Sequence, residues 1–286
     1  MIGQMQPHDT DHGELVLAEM DGGVLRVTLN RPEKLNALTP PMSFRLAATL
    51  QAAARDPQVR YVLITGAGRA FCAGGDVTQF LANDPSDPVA ARSSGHPAWS
   101  GAEYLVDRLR ERMQSSLLLH AMPKPTVAMV RGPAMGAGLG LMAACDIRLA
   151  DTTASFGTAF GKVGLSGDFG VSYFLGRLVG PTVAREMYFL DRRLDAAEAA
   201  QHGLVNRTVE PDALESEAGA IAARLAAGPP IAWRYVKQNL ATAETEHLSD
   251  VLDLEARNMI RTMATADSRN AIDGFLNRKT VSFGGC

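Results

Sequence analysis

Two apolar runs in this chain each empty into a glycine-rich loop, and that repeated junction constrains the fold more than any other feature. The first run is Arg60–Thr65 (RYVLIT), followed by the loop from Gly66 to Asp76, GAGRAFCAGGD. The second is Thr126–Val130, followed by Gly132-Pro133 and then Gly136-Ala-Gly-Leu-Gly140. Short apolar runs bounded by glycine and proline read as buried strands. Helical patterns follow, from about Gly101 to His120 and over Gly136–Ala144. Strand, glycine loop, helix and strand again predict an α/β or mixed α+β layered fold.

The flanking sequence agrees. Glu14–Glu19 and Val24–Asn30 around Asp21-Gly22-Gly23 read as a hairpin. Thr39-Pro40-Pro41 opens a helix carrying Met42, Leu46, Leu50 and Ala53 on one face, and Asp56-Pro57 ends it. Ile147–Ala150 reads as a strand. Asp195-x-x-Glu198 has capping-box spacing, and from there the pattern is mainly helical: Ala213–Ala227, Ile231–Ala243, His247–Ala266 and Ser268–Asn277. Residues 82–100 hold Pro85, Pro88, Gly95, Pro97 and four serines, a composition expected of a functional or disordered loop. Residues 1–13 are polar, lack the basic-then-apolar order of a leader, and read as a frayed end.

Composition removes several classes of function. With 46% hydrophobic and 21% charged residues in 286, the chain can bury a core, and chain-wide disorder is excluded. A net charge of −3 gives no global attraction to nucleic acid or anionic membrane. The longest apolar run, Pro133–Cys145, falls short of the roughly 20 residues a bilayer demands. Cys72, Cys145 and Cys286 form no CxxC pair, and the six histidines show no ligand spacing, so no metal is expected. The expected setting is the reduced cytoplasm.

The glycine loops fail the familiar nucleotide motifs. Gly136-Ala-Gly138-Leu-Gly140 is followed by Leu141 where GxGxxG needs glycine, and Gly161-Lys162 precedes valine rather than the Ser or Thr of a P-loop. Gly164-Leu-Ser166-Gly167-Asp168 misses the nucleophile elbow by one residue. Two readings stay open: a pair of tight connections, or backbone N–H groups exposed by glycine and converging as an oxyanion hole.

The segments VLRVTLNRPEKLNAL (24–38), VLITGAGRAFCAGGDV (62–77), KPTVAMVRGPAMGAGLGLMAACDIRLA (124–150), ASFGTAFGKVGLSGDFGVSYFLGRLVG (154–180) and AAEAAQHGLVNRTVE (196–210) resemble the enoyl-CoA hydratase/isomerase (crotonase) superfamily over nearly the whole chain. The resemblance implies a spiral of ββα units over 14–210, a helical C-terminal trimerisation region over 211–286, an acyl-CoA thioester as substrate, and no cofactor beyond the substrate's own CoA. Carried over by position, the oxyanion donors are the N–H groups of Gly75 and Ala137. The CoA lies along Ala70, Cys72, Ala73, Gly74 and Asp76, with Phe160 also lining the substrate site. Phe275 and Arg278 stand near the nucleotide end, where the arginine suits a phosphate.

The sequence departs from the hydratase pattern where it matters chemically. The two hydratase glutamates fall here on Gly140 and Phe160. A different carboxylate, Asp168, stands where isomerases of the superfamily, and 4-chlorobenzoyl-CoA dehalogenase, carry an aspartate. Its neighbours Phe160, Val163, Leu165, Phe169, Val171 and Phe174 predict a desolvated carboxyl with a raised pKa. A helix cap near Phe169 is its alternative or additional role. Asp76 and Asp146 read as turn and cap residues. Glu103, Asp107 and Glu111 are candidates for a second acid/base, and His96 for the dehalogenase histidine. The leading expectation is an enoyl-CoA isomerase with Asp168 as acid and base. The alternatives are hydration, hydrolytic dehalogenation, or a non-catalytic binding protein on the same fold. The apolar content of the C-terminal helices predicts an interface, and the resemblance implies that it builds a homotrimer or a dimer of trimers.

Overall fold

The computed structural model describes residues 14–78 and 102–286, with side chains of the second helix described from residue 105. The expected loop over 82–100, His96 and the Glu103 side chain lie outside the described residues.

The chain begins with the hairpin β1 (Val16–Asp21) and β2 (Val24–Leu29). Gly22 and Gly23 take the left-handed φ values of +54° and +87° that the two-residue turn requires. Strands β3 (Tyr61–Gly66), β4 (Thr126–Val130), β6 (Ile147–Asp151) and β9 (Arg207–Val209) continue the sheet in the order β1-β2-β3-β4-β6-β9, parallel after the first pair. A smaller sheet holds β5 (Pro133–Met135), β7 (Ser155–Gly157) and β8 (Leu194–Asp195). Parallel bridges Leu38–Gly75 and Cys72–Ala134 carry that second layer toward the N-terminus.

The helices are α1 (Pro40–Arg55), α2 (Ala102–Ala121), α3 (Ala137–Ala143), α4 (Val171–Leu178), α5 (Gly180–Phe189), α6 (Ala196–Gln201), α7 (Leu214–Ala226), α8 (Pro230–Ala243), α9 (Leu248–Met263) and α10 (Ala266–Asn277). Each turn of the chain therefore lays one strand in the large sheet, one short segment in the small sheet, and then a helix. Examples are β4–β5–α3 and β6–β7–α4, and the result is the expected ββα spiral.

Both faces of the large sheet are covered. Val62 and Ile64 of β3 face the main core, while Tyr61 and Leu63 pack toward Leu214 and Ala218 of α7. Coverage on two sides explains why β3 and β4 are continuous apolar runs instead of alternating ones. Helix α1 begins where Thr39 accepts a hydrogen bond from the Met42 N–H (3.3 Å), and it buries Met42, Leu46, Leu50 and Ala53. The Asp195–Glu198 capping box forms in both directions.

One helical expectation needs correction. The pattern His247–Ala266 is cut short at Met263, because Thr265 adopts extended backbone and caps α10 by accepting from the Ser268 N–H (3.1 Å). The C-terminal helices are tied to the spiral by a buried cation. Lys237 Nζ of α8 donates to Asp146 Oδ2 (2.7 Å) and to the carbonyls of Leu119 (2.7 Å) and Lys124 (3.1 Å). Asp146 also accepts from the Thr126 N–H and hydroxyl, so it is a structural hub, as its sequence setting implied.

Candidate active site

The loop after β3 is fixed by the segment after β2. Asn36, fully buried and in a left-handed conformation (φ +56°), accepts from the Arg31 N–H (2.9 Å). Its amide donates to the carbonyls of Ala67 (2.9 Å) and Ala70 (2.8 Å). The Ala73 N–H donates to Leu35, the Leu38 N–H to Gly74, and the Asp76 N–H to Leu38. Asp76 pairs with Arg31 (3.2 Å) and with the Thr78 hydroxyl (2.7 Å). Burial works to raise its pKa, but the Thr78 and Arg31 bonds outweigh that and hold the carboxyl below its usual range. Asp76 is thus a turn-holding residue whose carboxylate is already engaged. Ala70 and Gly74 are buried, and Gly74 takes φ +101°, open to glycine and to few others. Among the described residues the Gly75 N–H has no backbone acceptor.

The second loop enters α3. Gly136 has φ +50° and spends its own N–H on the Gly157 carbonyl (3.0 Å). Ala137 is the first helical residue, where the N–H has no intrahelical partner. Alanine at 137 carries no left-handed strain, because the left-handed turn falls on Gly136. The two loops meet at Gly138 and Cys72. A Cβ on Gly138 would lie 2.4 Å from the Cys72 carbonyl oxygen and 2.9 Å from its sulfur. Cys72 is buried, and burial, with the Asp168 charge adding to it, pushes its thiol up to about 12. It lines this junction as a neutral group.

Asp168 sits on the tight loop between β7 and α4. Gly167 (φ +113°), Phe169 (φ +50°) and Gly170 (φ +75°) all take left-handed conformations around it. Only the Asp168 carbonyl serves α4, accepting from the Val171 N–H (3.2 Å). The N-cap is Gly170, without a side-chain bond, so the reading of Asp168 as a helix cap is overturned: the helix starts too late for its carboxylate to reach the first turn. Among the described residues Asp168 Oδ1 is buried without a hydrogen-bond partner. Desolvation, offset in part by the Arg112 guanidinium of α2, raises the Asp168 carboxyl to about 6. Such a group ionises near neutrality and is poised to take and return protons.

The hydratase glutamate positions are filled by other means. A Cβ on Gly140 would lie 2.5 Å from the Phe169 carbonyl oxygen and 2.9 Å from its Cβ, so Phe169 occupies that space. Phe160 is buried and stacks on Tyr188 of α5, ring centroids 6.3 Å apart at 17°. Of the candidate second acids, the two whose side chains are described are engaged elsewhere. Asp107 pairs with Arg110 and Glu111 with Arg108 along the outside of α2. Instead α2 brings Arg112, and beside it Met113, whose sulfur accepts from the Phe169 N–H (3.2 Å). Phe275 is 85% exposed on α10, and Arg278 is exposed at its left-handed end. Neither is brought to the Ala70–Asp76 loop by a hydrogen bond or ion pair among the described residues. Asn36, Arg31, Arg112 and Tyr188 were missed as site builders. The first two stand inside the NRPEKLNAL segment, which was the available signal.

Residues 19–285 match the family model described as enoyl-CoA hydratase/isomerase. The chain belongs to that family. It is 35% identical over 272 residues to the 1,2-epoxyphenylacetyl-CoA isomerase of Escherichia coli K12, covering 95% of this chain and 99% of that one. It is 29% identical over 267 residues to the short-chain-enoyl-CoA hydratase of Clostridium acetobutylicum, covering 93% and 96%. The crystal structure of an enoyl-CoA hydratase from Polaromonas sp. JS666 superposes with a TM-score of 0.81 at 31% identity, covering 94% of this chain and 99% of that one. The family makes this an acyl-CoA enzyme of the hydratase/isomerase type. Among the described residues no helix is long and apolar enough to cross a membrane.

Proposed function

We propose that this enzyme moves a carbon–carbon double bond along an acyl-CoA thioester, with Asp168 as its one acid/base. The observation that carries the reading is the Asp168 carboxylate, buried on one oxygen without a partner among the described residues and raised to about 6. The thioester oxygen accepts hydrogen bonds from the Gly75 and Ala137 N–H groups. Asp168 removes a proton from one carbon, the electron pair passes to the thioester oxygen as an enolate, and Asp168 returns the proton two carbons along. Proton and electrons balance and no water enters. Each amide donor lowers the barrier by roughly 3 kcal/mol. The chemistry requires no cofactor beyond the CoA of the substrate.

The relatives support both branches of the family, since one is named an isomerase and another a hydratase. The filled space at Gly140 and the phenylalanine at 160 favour isomerisation, because hydration uses two carboxylates and a placed water. Phe160 also counts against dehalogenation through attack by Asp168, because the resemblance to 4-chlorobenzoyl-CoA dehalogenase implies a tryptophan at that position. The test is a panel of enoyl-CoA esters in deuterated, oxygen-18 water. Deuterium entering the acyl group at unchanged oxygen content supports isomerisation, and solvent oxygen in the product overturns it.

Two further readings go with this proposal. Leu240, Leu248, Met259, Ile260, Phe275 and Leu276 are 61–85% exposed on α8, α9 and α10, apolar surface suited to a neighbouring copy. A cytoplasmic homotrimer of about 90 kDa, three chains of 30.5 kDa, or its dimer, covers it, and brings a neighbour's Phe275 and Arg278 to the CoA end of the Ala70–Asp76 loop. In this division, 14–210 carries the chemistry and 211–286 the assembly. A light-scattering mass near one chain at micromolar concentration overturns the trimer.

A further inference from the structure

The Phe160 ring joins the two halves of the site. Its Cε1 lies 3.5 Å from where a Cβ on Gly136 would stand, beside Ala137. Its opposite edge, Cδ2 and Cε2, lies 3.3 Å from the corresponding point on Gly167, beside Asp168. Tyr188 extends this aromatic surface, near-parallel to Phe160, and its hydroxyl lies 3.2 Å from the same Gly167 point. The phenol is half-buried, and its polar neighbours are the Asp168 carboxylate and the Ser172 hydroxyl. Burial, with the Asp168 charge adding to it, pushes it up to about 12, so it stays neutral and keeps its proton. The Tyr188 hydroxyl is therefore a hydrogen-bond donor standing at the Gly167 end of the Phe160 ring, next to Asp168, while Ala137 lies near the other end.

We propose that Tyr188 is a specificity-determining residue: its ring and Phe160 form the wall along which the acyl group lies, and its hydroxyl donates to an oxygen carried at the far end of that group. The preferred substrates are thus acyl-CoA esters with a hydroxyl or keto oxygen remote from the thioester. A hydrogen bond to a neutral acceptor changes affinity by roughly three- to tenfold. The inference rests on the acyl-CoA reading of the site, and its test is separable from the isomerase chemistry. Saturated esters have no double bond to move, so hexanoyl-CoA and its counterparts with a hydroxyl or keto oxygen on the penultimate carbon report binding alone.

Calorimetric titration of the wild-type enzyme is expected to show roughly three- to tenfold tighter binding of the oxygenated esters. Tyr188→Phe is expected to remove that preference, binding the oxygenated esters and hexanoyl-CoA with equal affinity. Equal wild-type affinity for plain and oxygenated esters overturns the proposal before any variant is made. So does a Tyr188→Phe protein that keeps the preference or loses affinity for all esters alike. Binding with this preference, but without deuterium exchange on enoyl-CoA esters, sinks the isomerase reading and leaves the role of Tyr188 standing. Absence of binding by every ester sinks both.

Discussion

Around Gly75 nearly every polar group has a partner: Asn36 holds the Ala67 and Ala70 carbonyls, Leu38 brackets Gly74 and Asp76, and Arg31 and Thr78 hold the Asp76 carboxylate. Around Asp168 the order is reversed. Among the described residues one carboxylate oxygen is buried unpaired, Phe169 is held in a left-handed conformation that costs a non-glycine residue about 1 kcal/mol or more, and the neighbouring N–H is spent on a methionine sulfur. The contrast follows from what each part does in the proposed reaction. Donors that stabilise a developing charge work best when fixed beforehand, since they then pay no reorganisation. A base near neutrality must be under-solvated, and a segment that keeps it so is necessarily less satisfied than its surroundings.

The largest expected effect breaks the unsatisfied half. Asp168→Asn keeps the shape and removes the proton carrier. Exchange of α-protons with deuterated water should fall by roughly 10²- to 10⁴-fold, the usual contribution of a positioned acid/base. Residual exchange within a few-fold of wild type would assign the proton transfer to another group.

Asn36→Ala attacks the satisfied half. It strips partners from the Arg31 N–H and from the Ala67 and Ala70 carbonyls, and it places alanine at φ +56°. Unsatisfied buried groups cost about 1–3 kcal/mol each, partly relieved by relaxation, so a loss of about 3 kcal/mol in unfolding free energy is expected from denaturant titration. A loss under about 1 kcal/mol would mean the loop is held by other contacts.

How far the sequence carried this picture depends on distance along the chain. Strands β3 and β4, helix α1 and the Asp195–Glu198 cap were legible because their signals are local: apolar runs, periodicity and a cap at fixed spacing. The roles proposed for Gly75, Ala137 and Asp168 were reached only through resemblance, because an amide's freedom depends on what its neighbours accept, which no local pattern encodes. The capping role expected for Asp168 failed for a related reason. Gly167, Phe169 and Gly170 take left-handed conformations and delay the helix to Val171, a path that glycine permits but does not dictate. Short strands such as β8 and β9 carry too few residues for a pattern. Arg112 and Tyr188 belong to helices far from the motifs, and only the packing of α2 and α5 brings their charge and hydroxyl toward Asp168.

Gly140→Ala probes the contact between the two halves. Helix propensity alone favours alanine by about 1 kcal/mol at this position inside α3. The added methyl, however, would stand 2.5 Å from the Phe169 carbonyl oxygen and must push the Asp168 segment aside. A displacement near 1 Å is worth about 100-fold in turnover, which is the loss expected. Gly176→Ala in α4, where nothing lies within 4 Å of the new methyl, is the control and should stay within about twofold. Equal activity of the two variants would mean the Asp168 segment yields without consequence.

The smallest effect concerns stability, and its sign is opposite to that of activity. The Asp168 carboxyl titrates at about 6 in the folded protein. In the unfolded chain it titrates at about 3.9. Between these values the folded state binds the extra proton, so this group's contribution to stability falls as pH rises from about 4 to about 6, then stays at its unfavourable level. A two-unit shift sets an upper limit of about 3 kcal/mol, and screening of a half-buried group brings the expectation to about 1–2 kcal/mol. Asp168→Asn should therefore unfold at higher denaturant than wild type at pH 8, with the difference closing toward pH 4. The same titration sets the acid limb of kcat/KM, which should drop tenfold per pH unit below an apparent pKa of about 6. The two curves test one carboxylate from both sides, because the ionised form that starts catalysis is the form that destabilises the fold. An Asp168→Asn protein no more stable than wild type at pH 8, together with an acid limb near pH 4, would show that Asp168 is well solvated and would remove the contrast between the two halves of the site.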